Sequence, residues 1–524
     1  MTRKLLLIAF SLLWAVPVSK MLSPVEAFAQ SVDTAWVRRY NGPGNSVDYA
    51  SALEVDNSGN VYVTGYSEGS GTGTDYLTIK YDPQGNQIWE QRYSGAGNYD
   101  DYAVAISIDA SGNIYVTGWS SYDISPYSDY VTIKYYPDGD TAWVRRYNGP
   151  GNFNDKAYAI DIDSSGNVYV TGYSYGSGTF NDYTTIKYYT DGVVAWVKRY
   201  NGSGNLNDEA YAIDVDNSGS VYVTGRSFGS GTSYDYATIK YYPNGDTAWT
   251  RRYNGSGNSG DEARAIAVVG SGNVYVTGYS SGSGTYNDCT TLKYYPDGDT
   301  AWVRRYNGPA NDYDRANALV LDISGNIYVT GRSWGSGTSD DYVTLMYYPN
   351  GDTAWVRRYN GPGDFSDEAL ALAVDTSGRV YATGYSSQFS SSPFNLDYAT
   401  LKFDSDGTTA WVKRYNGDSD QDDYAQALAL DGPGSVYVTG YSLGSGTDYD
   451  YATIKYVQFL RGDANLDGNV SLSDIVYLIS YLFKQGNAPS PIQSGDANCD
   501  DNVSLSDIVY LIAYLFKQGS PPCI

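Results

Sequence analysis

Between residues 34 and 456 short apolar runs alternate with polar, Gly-rich breaks, and they do so at one period. The Trp of each W-V-R-R-Y-like segment falls at Trp36, Trp89, Trp143, Trp196, Trp249, Trp302, Trp355 and Trp411, at spacings of 53, 54, 53, 53, 53, 53 and 56 residues. A period of this size marks a repeat architecture. In the first unit, four segments predict strands: Ala35–Tyr40, Ala52–Asp56, Asn60–Gly65 and Tyr76–Tyr81. Val61 and Val63 point one way, Tyr62 and Thr64 the other. The polar side is thus aromatic, which suits a sheet packed on both faces, because a Tyr ring packs while its hydroxyl finds a partner. Two connections are tight turns, Asp56-Asn57-Ser58-Gly59-Asn60 and Asp82-Pro83-Gln84-Gly85-Asn86. The other two, Asn41–Asp48 and Tyr66–Asp75, are longer. Alternating short and long connections predict an up-and-down four-stranded blade, and such units repeated radially make a β-propeller. A β-helix solenoid, whose repeats are usually shorter, comes second.

The phase of the ring follows from its ends. The last unit stops after Tyr451–Tyr456 with no Trp strand behind it, whereas the first Trp strand precedes Ala52–Asp56. If Ala52–Asp56 is innermost, Ala35–Tyr40 is left over and closes the last blade. Leu53, Ile106, Ile160, Ile213, Ile266, Leu319, Leu372 and Leu428 mark the inner strands, which predicts a mainly β, eight-bladed propeller over residues 30–456. Ser58-Gly59-Asn60-Val61-Tyr62-Val63-Thr64-Gly65 with Tyr76-Leu77-Thr78-Ile79-Lys80-Tyr81 resembles the SBBP-type bacterial β-propeller repeats. That resemblance implies the architecture and little about activity, because propellers host many functions.

An Asp ends each long connection. One ring is Asp48, Asp101, Asp155, Asp208, Asp261, Asp314, Asp367 and Asp423; the other is Asp75, Asp129, Asp182, Asp235, Asp288, Asp341, Asp397 and Asp450. A cation or ligand site at the channel mouth is one reading. The other, favoured because every blade carries the feature, is structural: acceptors for backbone N–H groups, or partners of blade Lys and Arg. Met346 replaces the Lys of the Ile-Lys-Tyr segment in one blade, and Cys289 fills a slot where seven repeats carry Tyr, a packing substitution.

Composition narrows the chemistry. None of the 524 residues is His, which excludes Ser-His-Asp and Cys-His catalysis, zincin motifs and His-ligated metals. A formal charge of −25 argues against nucleic acid and anionic membranes as partners. Residues 1–29 read as a secretory signal peptide: Arg3 and Lys4, an apolar run from Leu5 to Val18, and Ala27-Phe28-Ala29 before an expected mature start at Gln30. No other stretch reads as a transmembrane helix. Cys499 and Cys523 fall in one exported terminal module and are expected to pair.

After a short linker, 457–461, the module at 462–524 carries two near-copies of one unit. Asn469–Gly486 and Asn502–Gly519 differ only at Ser480 versus Ala513. Each opens with an EF-hand-like loop, in which calcium takes oxygen ligands at positions 1, 3, 5, 7 and 12. Loop one supplies Asp463, Asn465, Asp467, the Asn469 carbonyl and Asp474, with Ser471 acting through water and Gly468 at the sharp turn. Loop two supplies Asp496, Asn498, Asp500, the Asn502 carbonyl and Asp507, with Ser504. An apolar helix follows each loop, marked by Ile475, Leu478, Ile479 and Leu482, and again by Ile508, Leu511, Ile512 and Leu515. No entering helix precedes either loop. Duplicated loop–helix units of this kind resemble type I dockerins. The resemblance implies two calcium ions and docking to a cohesin-like module through loop positions 10 and 11, here Leu472-Ser473 and Leu505-Ser506. The family often has hydroxyl or small pairs there, and Leu departs from that. Leu472 and Leu505 are read either as partner contacts or as core.

The leading expectation is a secreted, surface-associated, non-catalytic adaptor whose propeller presents a binding face to a polysaccharide or a surface protein. The alternatives are a glycoside hydrolase or lyase of a polysaccharide-degrading, cellulosome-like complex, and a purely structural envelope protein. A hydrolase needs one defined carboxylate pair, which rings repeated in every blade do not single out.

Overall fold

The computed structural model describes residues 31–121, 127–388, 395–517 and 519–523. The expected signal peptide, 1–29, and most of the Ser386–Leu396 connection of blade seven, longer in sequence than its equivalents, lie outside them. The chain forms two compact units, one spanning Trp36–Lys455 and the other containing Tyr456–Ile524. Among the described residues thirty-two strands, β1–β32 in chain order, build eight four-stranded sheets. Blade one is β2 (Asp48–Val55), β3 (Val61–Glu68), β4 (Thr74–Tyr81) and β5 (Gln87–Tyr93). Blade eight is β30 (Asp423–Leu430), β31 (Val436–Leu443) and β32 (Tyr449–Phe459), completed by β1 (Ser31–Tyr40) beside β32. The N-terminal strand therefore closes an eight-bladed ring in the expected phase. The first strand of each blade touches the first strands of its neighbours, so these strands line the axis.

β2 starts four residues earlier than its apolar alternation predicts. The β2–β3 register shifts between Ala50 and Ala52, and the equivalent bulge occurs in all eight blades. A bulge throws the in–out alternation out of phase, so the first half of the strand reads as loop.

Val61, Tyr62, Val63, Thr64 and Gly65 of β3 are all buried, because each blade is packed on both faces. A Cβ at Gly65 would collide with the Tyr49 carbonyl, so the close approach of β2 and β3 requires glycine. Buried Thr64 and Thr78 satisfy each other at 3.0 Å across the β3–β4 pair. Tyr76, fully buried, donates its hydroxyl to the Val131 carbonyl of the next blade at 3.1 Å. Tyr130, Tyr183, Tyr236, Tyr342, Tyr398 and Tyr451 repeat that stitch, the last reaching Leu77 of blade one at 3.4 Å. Cys289 takes the eighth place, and burial raises its thiol pKa well above the usual value, which makes it a packing residue rather than a nucleophile.

In the second unit, α1 (Leu472–Lys484) and α2 (Leu505–Lys517) pack together. Their buried face is Ile475 and Leu478 against Ile508 and Leu511, with Ala464 and Ala497 of the loops. Among the described residues no helix is long and apolar enough to cross a membrane.

Candidate metal centre

The two Asp rings of the propeller are built into its bracing. Asp48 is buried and its Oδ2 accepts from Gly42 N at 2.7 Å; Asp155 takes Gly149 N at 2.7 Å and Asp423 takes Gly417 N at 2.6 Å in the same way. In the other ring each carboxylate meets an Arg of its blade's outer strand, from Asp75–Arg92 at 3.1 Å to Asp397–Arg414 at 2.8 Å. Blade eight makes its pair, Arg39–Asp450 at 2.9 Å, with the strand that closes the ring. The blade lysines are also engaged: Lys134 lies 5.1 Å from the Tyr115 ring centroid and donates to the Thr190 carbonyl.

The C-terminal loops are arranged differently. Ser471 caps α1, and Asp474 returns the bond by accepting from Ser471 N at 2.8 Å, a reciprocal capping box. The other oxygen of Asp474 accepts from Asn465 N at 3.2 Å, so this fully buried carboxylate ties helix to loop. Asp463 accepts from the amides of Asp467 and Gly468 at 3.0 and 2.9 Å. Loop two repeats the design: Asp507 accepts from Ala497 N and Ser504 N at 2.9 and 2.8 Å, and Asp496 from Asp500 N at 3.1 Å. A four-residue 3-10 turn, Ile492–Gly495, leads into it.

These contacts turn carboxylates towards one another. In loop two, oxygens of Asp496, Asp500 and Asp507 lie within 4.8 Å of each other. Burial, together with Asp474 and Asp467 nearby, pushes Asp463 up to about 6, and burial also raises Asp474 and Asp507. Grouped, partly desolvated carboxylates of this kind fit a hard cation that takes oxygen ligands. Position 6 holds Gly468 at φ 87° in loop one and Asp501 at φ 63° in loop two, both left-handed. The Cys499–Cys523 disulfide ties loop two to the C-terminal tail, and Arg461 reaches Asp496 Oδ2 at 2.7 Å.

The candidate docking residues divide. Leu472 and Leu505 are 44% and 42% exposed, so neither belongs to the core. Ser473 and Ser506, exposed as well, donate to Asp467 and Asp500 of their loops at 3.0 and 3.3 Å. Two contacts could not be read from spacing alone: Arg461 on Asp496, because it precedes the loop motif, and the bonds of the two serines to Asp467 and Asp500.

Residues 461–516, the duplicated loop–helix unit, match the dockerin type I domain. The chain carries a type I dockerin, and such domains bind calcium. The beta-propeller repeat of the SBBP type matches at 35–71, 92–124, 142–178 and 301–337, ahead of that dockerin. An uncharacterized WD repeat-containing protein of Acanthamoeba polyphaga mimivirus is 23% identical over 503 residues, covering 84% of this chain and 34% of its own length. The dockerin-bearing chain thus spans about a third of that curated relative. Among solved structures, Drosophila Plexin A in complex with Semaphorin 1b has a TM-score of 0.38 at 10% identity, covering 81% of this chain and 88% of that one. A protein of unknown function from Dyadobacter fermentans has a TM-score of 0.37 at 9% identity, covering 81% and 98%. Neither likeness bears on activity.

Proposed function

We propose that this protein is a secreted, non-catalytic adaptor. Its dockerin, holding two calcium ions, docks onto a cohesin-like module while the propeller presents a binding face outside the cell. Asp463, Asn465, Asp467, the Asn469 carbonyl and Asp474 would hold one ion, with Ser471 through water. Asp496, Asn498, Asp500, the Asn502 carbonyl and Asp507 would hold the other, with Ser504. Calcium supplies the positive charge that lets the grouped carboxylates stay ionised, and the chain converts that into helix order through the Asp474 and Asp507 caps.

The observation that carries the reading is a duplicated exposed face. α1 and α2 differ at one residue, Ser480 versus Ala513, and both leave apolar side chains in solvent. Val476 and Val509 are 59% and 58% exposed beside Leu472 and Leu505. Apolar residues held outward at matching positions suit a partner surface. Two matching faces would let that partner bind in either of two orientations. Three of the acids on the propeller's first strands are held by arginines, Glu209 and Glu262 by Arg226 and Glu368 by Arg315, which suits binding better than hydrolysis at those three.

Surface plasmon resonance of the full chain over immobilised type I cohesin modules tests the docking. Binding in calcium, its loss in EGTA, and its loss in the Leu472→Ala/Leu505→Ala double variant are expected. Calcium-dependent binding that the double variant leaves intact would move the interface elsewhere, and no binding to any cohesin would reject the reading. Release of reducing sugar from polysaccharide by the full chain would reject the non-catalytic part. Export would leave Gln30 at the mature N-terminus.

A further inference from the structure

The blades share one frame and differ at set positions, among them a pair that faces across the first two strands. Asp48 and Ala50 of blade one recur as Asp155 and Ala157 in blade three and as Asp208 and Ala210 in blade four. The residue between them does not recur. It is Tyr49, Tyr102 and Tyr424 in blades one, two and eight, but Lys156, Glu209, Glu262, Arg315 and Glu368 in blades three to seven. The residue facing it across the ladder varies too, giving Tyr49–Tyr66, Tyr102–Trp119, Glu209–Arg226 and Arg315–Arg332, although Gly65 and Ser67 on either side are the same in every blade. The bulge residue beyond Ala50 varies as well, from Ser51 and Val104 to Tyr158, Arg264 and Asn317, so closure of the ring fixes neither position.

The variation is also ordered in space. On one arc aromatic rings meet across blade boundaries: Tyr385–Tyr424 at 5.1 Å, Tyr441–Tyr49 at 3.9 Å, Tyr66–Tyr102 at 4.7 Å and Trp119–Tyr158 at 5.9 Å. These rings are each partly exposed, and Lys156 Nζ lies over the Trp119 ring at 4.6 Å from its centroid. On the other arc Arg226 bridges Glu209 and Glu262 at 2.7 and 2.9 Å. Arg315 holds Glu368 at 2.7 Å, and Arg332 holds Asp340 at 2.9 Å. The acids and guanidinium groups there are paired.

The geometry points to a binding site for a neutral oligosaccharide at this end of the axis, with pyranose rings stacked on the aromatic arc and hydroxyls bonded to the paired charged arc. Tyr and Trp offer flat apolar faces with polar edges. Paired guanidinium and carboxylate groups offer many donors and acceptors without a field that would select a charged ligand. A polyanion meets a chain of net charge −25, and a polycation finds these carboxylates already neutralised. The inference rests on the propeller's being a binding face and is independent of the dockerin's partner.

Isothermal titration calorimetry of the full chain against cellohexaose, xylohexaose and mannohexaose tests it, with oligogalacturonate and spermidine as charged comparators. At least one neutral hexasaccharide should bind, equally in calcium and in EGTA. Trp119→Ala and Tyr49→Ala should each weaken it about tenfold, the loss of one aromatic contact. Trp119→Phe, which keeps a ring in the same packing, should retain most of the affinity and so separates lost stacking from lost folding. Tyr136→Ala, in an exposed turn at the other end of its blade, should change nothing. No binding of any neutral hexasaccharide, binding of a charged comparator only, or full affinity in both alanine variants would overturn the site. Binding abolished by EGTA would assign it to the dockerin and overturn it equally.

Discussion

Closure of the ring depends on β1, and Arg39→Ala loads that closure directly. Arg39 Nη2 sits 2.9 Å from Asp450 Oδ2 and donates to the Ser442 carbonyl at 2.9 Å. The Asp450 side chain is 8% exposed and that of Arg39 19%, so the stranded carboxylate cannot regain water without local opening. Removing one partner of a buried pair costs about 3–5 kcal/mol, and the partial exposure of Arg39 brings the expectation to about 2–3 kcal/mol. Arg252→Ala is the internal control. It loses Asp235 at 2.7 Å and the Ser227 carbonyl at 2.8 Å, the same contacts, but in a blade whose four strands are consecutive in the chain. Its β-hairpins hold the outer strand in place, whereas β1 is joined to its blade only by hydrogen bonds and packing. Both variants should lose similar stability in urea, followed by Trp fluorescence, which reports the propeller because residues 457–524 contain no Trp. Only Arg39→Ala should speed amide exchange in β32, whose edge opens when β1 detaches. Equal exchange in the two variants, or an unchanged melting temperature after deleting Ser31–Tyr40, would refute the closure argument.

Loop one is expected to bind calcium more tightly, because Gly468 takes the left-handed turn that Asp501 must take in loop two; Asp474→Ala should abolish that tighter site in calorimetry and reduce helicity at saturating calcium, because the same carboxylate closes the loop and caps α1, and equal helicity in excess chelator and in calcium would count against the coupling. Asp501→Gly should tighten the weaker site severalfold, since a left-handed φ of 63° costs Asp about 1 kcal/mol that Gly avoids; an unchanged affinity would show that the strain is not felt. Tyr130→Phe should cost about 1–2 kcal/mol by leaving the buried Thr184 carbonyl without its donor from the neighbouring blade, read as a lower urea midpoint at unchanged slope. Burial pushes Asp48, Asp155 and Asp367 up to about 6, and Asp214 up to about 7. These values lie above the unfolded carboxylate range, so the folded propeller binds the extra protons and its stability falls as pH rises from roughly 4 to 7. The urea midpoint by Trp fluorescence should therefore be higher near pH 5 than near pH 7.5, and a midpoint that rises with pH would contradict the burial of these groups.

The period, the blade count and the closing strand were legible because they depend on spacing, and spacing survives without coordinates. Trp36 to Trp411 sets the repeat, and the missing outer strand behind Tyr456 requires the N-terminus to supply one. The start of β2 was hidden by the bulge between Ala50 and Ala52, which breaks the alternation that betrays a strand. The Asp rings were visible as residues but not as roles. Asp48 and Asp75 look alike in sequence, yet one braces the Gly42 amide and the other neutralises Arg92. In the dockerin the twelve proposed ligand positions come from the loop pattern, but the orientation of Leu472 does not. It shares the helical stripe of Ile475, and only the docking of α1 against α2 shows that the stripe runs out of core before its first turn.

The two halves of the chain use repetition in opposite ways. Eight equal blades cannot single out one direction around the axis, so any selective contact at the propeller must come from departures from the repeat, of which those at Tyr49, Trp119 and Arg226 carry the proposed site. The dockerin keeps its copies nearly identical in α1 and α2, where divergence would have cost nothing structurally at exposed Leu472, Val476, Leu505 and Val509. On the proposed docking, two equivalent faces double the ways to bind, worth about 0.4 kcal/mol (RT ln 2). That gain is too small to explain keeping both faces for affinity. The larger consequence is geometric: a partner that can grip either face leaves the adaptor two orientations on the same support, so an asymmetric propeller mouth can be presented in two ways without a change in sequence.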